Sequence, residues 1–245
     1  MTSRPPVDAL RLWEAGWGLP PLERAVVLAA ASTGSSPDTV SSRPVGERDR
    51  LLYTLRARLF GTAIEAVSTC PGCAGEVELA FDLRHLLAGT GPSQPEVTVV
   101  AGGVERTFRT PTSVDVAAVL ARPAAHDTDA AQVLLRRCRV ASGVDGSAED
   151  DAAGQDDEAA DAVTRAWLVA DPLADVTLEL RCPECATEWA EPLDIGGFLW
   201  SELDNWCRAM LLDVHQLARA YGWSEAEILA LSPWRRRCYL GLVGA

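Results

Sequence analysis

Two short cysteine motifs hold the side chains of this sequence that are best suited to chemistry. Their sequences are Cys70-Pro71-Gly72-Cys73 and Cys182-Pro183-Glu184-Cys185, so both have the form C-P-x-C. A spacer of two residues lets both thiolates of a tight turn face one ion, and two such knuckles supply four sulfurs in a tetrahedron. The motifs therefore predict one structural zinc ion per chain, bound by Cys70, Cys73, Cys182 and Cys185.

Other roles for the paired cysteines are open at this point. Each pair could act as a redox dithiol, because the C-x-x-C spacing also lowers thiol pKa values, or the cysteines could carry no metal. A thioredoxin-type motif lies between a strand and a helix, whereas these motifs have strand-like sequence on both sides. Catalytic zinc is disfavoured, because four thiolates close the coordination shell.

The residues around the two knuckles also match, which is the most specific feature of the chain. Apolar residues alternate before and after each motif, and a period of two indicates a β-strand. Twelve residues after the first cysteine of each copy stands an aspartate, Asp82 or Asp194, followed by an aliphatic residue and an apolar pair. Aspartate before such a run is typical of a helix N-cap. Each copy is therefore predicted as strand, knuckle, strand and capped helix.

The two copies are far apart in the chain. Between Cys73 and Cys182 lie 108 residues, whereas zinc ribbons usually separate their cysteine pairs by roughly 15–20. We therefore expect a mainly helical α+β fold with a split zinc-ribbon-like unit, interrupted by a segment with its own β-hairpin at 96–108. The expected order is an N-terminal helical segment, a first zinc half, an insertion, a second zinc half and C-terminal helices, at 1–62, 63–88, 89–174, 175–200 and 201–245.

Hydrophobic periodicity and capping residues predict the remaining elements. In the helix expected at 47–60, leucines form one face and the arginines lie largely elsewhere. Arg235 to Arg237 are predicted as a solvated helix face. Three isolated cysteines fall in helical patterns and are predicted as small buried residues: Cys138, Cys207 and Cys238. We expect a loop at 33–46 and helices at about 7–16, 20–32, 47–60, 110–121, 128–140, 157–170 and 195–221, with two short helices after Gly222.

The charge of the chain is concentrated in one stretch. The formal net charge is −13, and all 22 basic residues are arginine. Eight acidic residues and no arginine fall within 141–161, which is predicted as a solvated loop that grades into a helix. A net negative protein repels phosphate unless its basic residues cluster, so nucleic-acid binding is disfavoured. The rest of the chain carries only about −5, so the acidity is mostly a property of this stretch.

No apolar stretch marks a signal peptide or a membrane span. The longest apolar run, 25–31, has seven residues, against the roughly 18 needed to cross a membrane. The expected location is therefore the cytoplasm, without a membrane partner. Thiols stay reduced there, which favours metal binding over disulfide formation.

The C-terminal part of the chain resembles a known family. The segments Gly197–Asp204 and Leu217–Pro233, the latter with Tyr-Gly-Trp-Ser-Glu and Leu-Ser-Pro, are similar to proteins encoded in bacterial gene clusters for phage-tail-like contractile injection systems. Those proteins in turn resemble the T-even phage family of baseplate hub proteins and hub assembly chaperones. The residues Leu12-Trp13-Glu14, the segment 22–25 and the two knuckles also fit the cluster-encoded group.

The expected function is that of a non-enzymatic assembly factor or component of a contractile-tail baseplate. The resemblance implies partners among the other baseplate, hub or tape-measure proteins of such a tail. Two alternatives stay open, a zinc-ribbon nucleic-acid-binding protein and a C-x-x-C redox protein. Tryptophan concentrates at binding hot spots, so five tryptophans are candidate contact residues: Trp13, Trp17, Trp200, Trp223 and Trp234.

Overall fold

A computed structural model describes residues 6–101, 103–122, 127–140 and 155–243. Within them the helices α1 to α11 are, in chain order, Pro6–Gly16, Pro21–Thr33, Pro37–Ser41, Val45–Phe60, Leu83–Ala88, Ser113–Leu120, Asp127–Cys138, Gln155–Ala170, Ile195–Tyr221, Glu225–Ala230 and Pro233–Val243. The strands β1 to β6 are Ala63–Thr69, Glu76–Asp82, Glu96–Ala101, Val104–Arg109, Thr177–Arg181 and Glu188–Pro192. The strands pair as separate antiparallel hairpins, β1–β2, β3–β4 and β5–β6. The mixture of helices and small hairpins agrees with the predicted α+β class.

The larger hydrophobic core brings the two ends of the chain together. α9 packs against α1, α2 and α4, because its apolar residues recur every three or four positions and form one stripe. Leu199 and Leu203 on that stripe are fully buried, as is Leu28 on α2. Ile64 of β1 and Leu83 of α5 belong to the same core. The helices that position the two cysteine motifs are therefore packed around one shared interior.

The segment between the two motifs builds a second, smaller core. β3 and β4 pack with α7 and α8 around Val97, Phe108 and Trp167. The indole of Trp167 stands edge-on to the Phe108 ring, with centroids 6.3 Å apart. Asp115 of α6 is fully buried, and its charge is balanced by a hydrogen bond from Arg109 at 2.8 Å. A buried carboxylate is tolerated only with such a partner.

One buried carboxylate joins the inserted segment to the larger core. Asp171, which follows α8, accepts a hydrogen bond from Gly46 N of α4 at 2.8 Å. It also accepts a hydrogen bond from the Ser93 hydroxyl. The backbone of α4 and the chain leading to β3 are thus tied to the same side chain.

The helix caps predicted at the two motifs are present. Asp82 accepts a hydrogen bond from Arg84 N at the start of α5, and Asp194 accepts one from Gly197 N at the start of α9. One short helix was not predicted, because α3 lies inside the expected loop 33–46. Ser36 begins α3 by accepting a hydrogen bond from Thr39 N, a local cap in a segment too short for periodicity to reveal.

Two arginines of α4 are buried, which hydrophobic periodicity did not predict. Arg56 is 3% exposed and binds both carboxylate oxygens of Glu202, at 2.7 and 2.9 Å. Arg48 donates to the adjacent Asp49 at 2.7 Å and to the Ser113 hydroxyl at 3.1 Å. These partners lie up to 146 residues away in the chain, beyond the reach of a local pattern.

One prediction near the C-terminus is wrong and another is wrong in part. Cys238 on α11 is exposed rather than buried, whereas Cys138 and Cys207 are buried as predicted. Arg236 is not solvated, because α11 packs against α9 and places its Nε 3.4 Å from Asp213 Oδ2. Successive residues of an α-helix are about 100° apart, so Arg236 faces α9 while Arg235 and Arg237 on either side of it are exposed.

Other predictions are not tested by the described residues. In the acidic stretch 141–161, residues 141–154 lie outside the described part of the chain, and α8 begins at Gln155. The segment boundaries at 62, 88, 174 and 200 stay predictions. Searched over the described residues, no helix combines the length and apolar character needed to cross a membrane.

Candidate metal centre

The two knuckles meet and bring four cysteine sulfurs to one point. The ligand atoms of Cys70, Cys73, Cys182 and Cys185 all lie within 4.8 Å of one another. Across the knuckles, the Sγ atoms of Cys70 and Cys185 are 3.5 Å apart and those of Cys73 and Cys182 are 3.7 Å apart. A metal–sulfur bond of about 2.3 Å gives a tetrahedral edge of about 3.8 Å. The cluster therefore has the size of a site for one tetrahedral ion.

The backbone of each knuckle folds in the same way. Cys70 N donates to Gly75 O at 2.9 Å and Ala74 N donates to Cys70 O at 2.9 Å. The same two bonds recur in the second knuckle, from Cys182 N to Thr187 O and from Ala186 N to Cys182 O. These tight turns hold both sulfurs of a pair on one side.

Each knuckle also contains an alanine in the left-handed backbone region. Ala74 has a φ of 58° and Ala186 a φ of 60°. Both follow the second cysteine of their motif, and a residue with a Cβ is strained in this conformation. The described part of the chain has no other non-glycine residue with positive φ. The two knuckles therefore share one backbone conformation, strained at the same position.

One sulfur of each knuckle is buried and the other is exposed. Cys70 and Cys182 are buried, whereas Cys73 and Cys185 are exposed. The two buried cysteines pack with Val77 in a small apolar cluster. Apolar surroundings around buried ligands exclude water and strengthen the attraction between thiolates and a cation.

A hydrogen-bond chain outside the sulfurs links the two hairpins. Glu191 of β6 accepts from the Ser68 hydroxyl of β1 at 2.8 Å and from Trp189 Nε1 at 3.1 Å. The Trp189 ring packs against the apolar cluster around Cys70 and Cys182. Sequence reasoning missed these residues. The sequence signal for them was weak, because polar residues such as Glu191 and Ser68 are common at the outward-facing positions of β-strands.

Thiols at this distance perturb one another. Hydrogen bonds with Thr187, through its side chain and its backbone, lower the pKa of Cys185 to about 6. The Gly75 N–H lowers the pKa of Cys73, but the three neighbouring cysteines outweigh it and raise that pKa to about 12. A thiolate cluster without a cation therefore keeps some of its protons. A bound cation would displace them, so metal affinity is expected to rise with pH.

The arrangement suits structural binding of an ion better than catalysis. Four thiolates complete a tetrahedral shell and leave no position for water or substrate. Among the described residues, no second group of three or more histidine, cysteine, aspartate or glutamate side chains has comparable geometry. His85 and His215 are exposed and outside the cluster, and His126 lies outside the described residues. The ligand roles of the four cysteines stay a prediction that this geometry fits.

The residues after the second motif connect the metal centre to the N-terminal helices. Near the start of α9, Trp200 lies under the Arg24 guanidinium, whose Cζ is 4.5 Å from the ring centroid. Asp204 accepts a hydrogen bond from Trp13 Nε1 at 2.8 Å, and Glu202 pairs with Arg56 at 2.7 Å. These α9 residues fall within Gly197–Asp204, one of the two segments of the family resemblance.

Comparisons of the chain with family models, with curated proteins and with solved structures found no match.

Proposed function

We propose that this chain is a non-enzymatic assembly factor or component of a phage-tail-like contractile injection system baseplate, shaped by one structural zinc ion. The observation that carries the zinc proposal is the convergence of four sulfurs from two motifs 108 residues apart. Zinc suits four thiolates in a tetrahedron, because it has no geometric preference of its own and binds sulfur strongly. The two hairpins would then form a split zinc-ribbon-like unit.

The mechanism that follows is recognition by a fixed surface. When bound, zinc would supply a rigid junction between the β1–β2 and β5–β6 hairpins. Hydrogen bonds among Ser68, Trp189 and Glu191 would hold the hairpins together beside the ion. The hairpins would in turn fix α5 and α9, which begin directly after them at Asp82 and Asp194. Partner proteins would bind the helices placed in this way.

The baseplate assignment is supported by the sequence resemblance and by the roles that the residues of the resembling segments have in the fold. The segment Leu217–Pro233 ends α9 at Gly222 in the left-handed conformation and then starts α10 with a capping box from Ser224 to Glu227. Trp223 stacks on Tyr221 with ring centroids 4.7 Å apart. A motif that shapes a helical corner suits a protein that presents surfaces to its partners.

Two tryptophans at the ends of the helical part are the preferred contact residues. Trp17 is 53% exposed and Trp234 is 69% exposed. Large exposed aromatic side chains are favoured at the centres of protein interfaces. Trp13, Trp200 and Trp223 are half-buried, so their main contribution is to packing.

The surface of the hairpins favours a protein partner over nucleic acid. The stretches 63–82 and 175–194 together hold ten acidic residues and one arginine. Four thiolates on a divalent ion would add further negative charge. A phosphate backbone would be repelled from such a surface at any moderate salt concentration.

Metal content and thiol reactivity test the zinc proposal. Protein purified without chelator should contain one zinc per chain by elemental mass spectrometry. Alkylation of the native protein should label exposed Cys238 and spare the four motif cysteines. Addition of a chelator should make Cys73 and Cys185 reactive as well. Metal-free protein with all exposed thiols reactive would contradict the proposal.

Gene context and co-purification test the baseplate proposal separately. The gene should lie beside sheath, tube and baseplate genes, and the tagged chain should co-purify with a baseplate protein encoded there. Trp17→Ala and Trp234→Ala should weaken that complex. Leu120→Ala, a change at another exposed apolar residue, should leave it intact and serves as the control. A neighbourhood without contractile-tail genes would overturn the assignment.

A further inference from the structure

Within the described part of the chain, the hairpin of β3 and β4 has one strand edge without a paired strand. Thr110 N donates to Pro95 O at 2.9 Å, which fixes the pattern of bonds along the pair. In an antiparallel pair, alternate residues direct their backbone groups toward the partner strand. The odd-numbered residues of β3 therefore bond to β4. Glu96, Thr98 and Val100 direct their N–H and C=O groups to the outer side.

Backbone groups near these three residues already have hydrogen-bond partners, which distinguishes the outer edge at Glu96, Thr98 and Val100. On the far side of the hairpin, Val140 N donates to Thr107 O at 2.9 Å. Just before β3, Gln94 N donates to Ala170 O at the end of α8 at 2.8 Å. Among the described residues, no strand pairs with the outer edge of β3. Natural edge strands are usually protected by charged side chains, proline or a bulge, whereas the segment 96–101 has no proline and a single charged residue, Glu96, at its start.

A groove of about 450 Å³ runs between this edge and α8. Val97, Ala166 and Val169 give it an apolar lining, while Glu96 and Arg165 add one charge of each sign. On α8, whose Val163 and Trp167 are buried, Val169 is 79% exposed. An added strand would cover this side chain and use the free backbone groups at the same time.

We propose that this edge and groove bind an extended peptide segment of a partner protein, which adds to β3 as a third, antiparallel strand. Directly opposed residues of neighbouring strands share a face of the sheet. Peptide residues opposite Val97 and Val99 would therefore point toward α8 and should be aliphatic. The residue opposite Glu96 should be lysine or arginine. Backbone bonds give affinity in this binding mode, and alternate side chains give specificity.

A second copy of the chain does not fit the same edge. Symmetric antiparallel pairing of two β3 strands would place both α8 helices on one face of the joined sheet. α8 packs against β3 itself, so the two helices would be set apart by little more than the strand spacing of about 4.8 Å. Packed helices need about 8–10 Å. The occupant must therefore be a strand without a helix on that face.

A designed peptide tests the proposal without depending on zinc or on a baseplate partner. The probe is acetyl-Ile-Val-Thr-Val-Lys-amide, titrated into the ¹⁵N-labelled full chain. We expect saturable shifts and slowed hydrogen exchange at the amides of Glu96, Thr98 and Val100. N-methylation of the threonine and lysine of the probe, whose amides would face β3, should weaken binding about tenfold or more through lost hydrogen bonds. N-methylation of its two valines, whose amides face away, should not.

Variants of the chain supply the matched control. Thr98→Pro removes an outward donor that β4 does not use, so it should weaken the probe about tenfold or more. Thr98→Val keeps that donor and should bind normally. The proposal is overturned if no edge amide responds, or if both methylated probes bind equally well. It is also overturned if the edge amides are protected from hydrogen exchange in the free protein. Protection that is independent of protein concentration would mean that the chain itself covers the edge, and protection that rises with concentration would mean that a second copy does.

Discussion

The two halves of the candidate metal centre share one local structure and differ in how they are anchored. Both have a C-P-x-C turn, an alanine with φ near 60° and an aspartate that caps the next helix. After that cap, the first half continues into α5, which has six residues, and the second into α9, which has 27. A knuckle is thus a local structure that the chain uses twice, whereas the anchoring depends on distant contacts.

Equivalent positions of the two halves show the difference in burial. Leu87 and Leu199 each lie 17 residues after the first cysteine of their motif. Leu199 is fully buried, whereas Leu87 is half-buried at the edge of the same core. At this position the second half is anchored more deeply in the helical core than the first, although Ile64 and Leu83 of the first half are also buried there.

Loss of a buried ligand should have the largest effect, and it should be equal in both halves. Cys70→Ser and Cys182→Ser each remove one of four sulfurs, so zinc should be lost and thermal stability should fall. Structural zinc contributes about 10–16 kcal/mol in small zinc-finger peptides, so a loss of several kcal/mol in the free energy of unfolding is expected here. Calorimetry with and without chelator measures it.

Exposed Cys238 provides the control for that measurement. Cys238→Ser should keep both the zinc content and the melting temperature of the unchanged chain. Chelation should lower the melting temperature of Cys238→Ser and leave Cys70→Ser nearly unaffected. If zinc-free and zinc-loaded protein melt at the same temperature, the idea that the metal joins the halves is wrong.

The leucine pair should show the unequal anchoring. Leu199→Ala leaves a cavity among fully buried neighbours and should cost about 3–5 kcal/mol in the free energy of unfolding. Leu87→Ala removes the same atoms from a half-buried site, where solvent and neighbours can fill the space, and should cost about 1–2 kcal/mol. Chemical denaturation of the zinc-loaded proteins measures both. Equal costs would show that the two helices are anchored alike.

Local features of the metal centre could be predicted from the sequence. The C-P-x-C spacing, the alternation of β1, β2, β5 and β6 and the caps at Asp82 and Asp194 each involve residues within about a dozen positions of one another. The structure brings the four cysteines together as the motifs predicted. The backbone strain at Ala74 and Ala186 was not predicted, because alanine rarely indicates a left-handed conformation.

Features that depend on distant partners could not be predicted. Arg56 is buried because Glu202 lies beside it, and no local pattern of charge reveals such a pair. Arg236 and Cys238 were assigned to the wrong environments because the rotation of α11 against α9 decides which residues face inward. The open edge of β3 was equally hidden, since a hairpin signal does not say which of its edges is covered.

A smaller asymmetry lies at the spacer position of the two knuckles. A Cβ on Gly72 would clash with Thr187 Oγ1 of the opposite knuckle. Gly72→Ala should therefore push the hairpins apart and cost about 1–3 kcal/mol in stability, with weaker metal binding. Glu184 occupies the same position in the second motif and is exposed, so Glu184→Ala should change stability by less than about 0.5 kcal/mol. Competition with a chromophoric zinc chelator compares the zinc affinities of the two variants. Equal affinities would mean that the knuckles are farther apart at Gly72 than the structure indicates.

The smallest expected effect is a gain, and it should be the same in both halves. A residue with a Cβ in the left-handed conformation is strained by about 1–2 kcal/mol, whereas glycine adopts that conformation freely but loses about 0.5–1 kcal/mol of unfolded-state entropy. Ala74→Gly and Ala186→Gly should therefore each raise the free energy of unfolding by up to about 1 kcal/mol. Ala66→Gly in β1 offers the control, because that strand residue is not strained and its replacement should lower stability by about 0.5–1 kcal/mol. Denaturation of the zinc-loaded variants measures these changes. A gain in the free energy of unfolding in only one knuckle would show that the two turns differ in backbone strain despite their similar sequences.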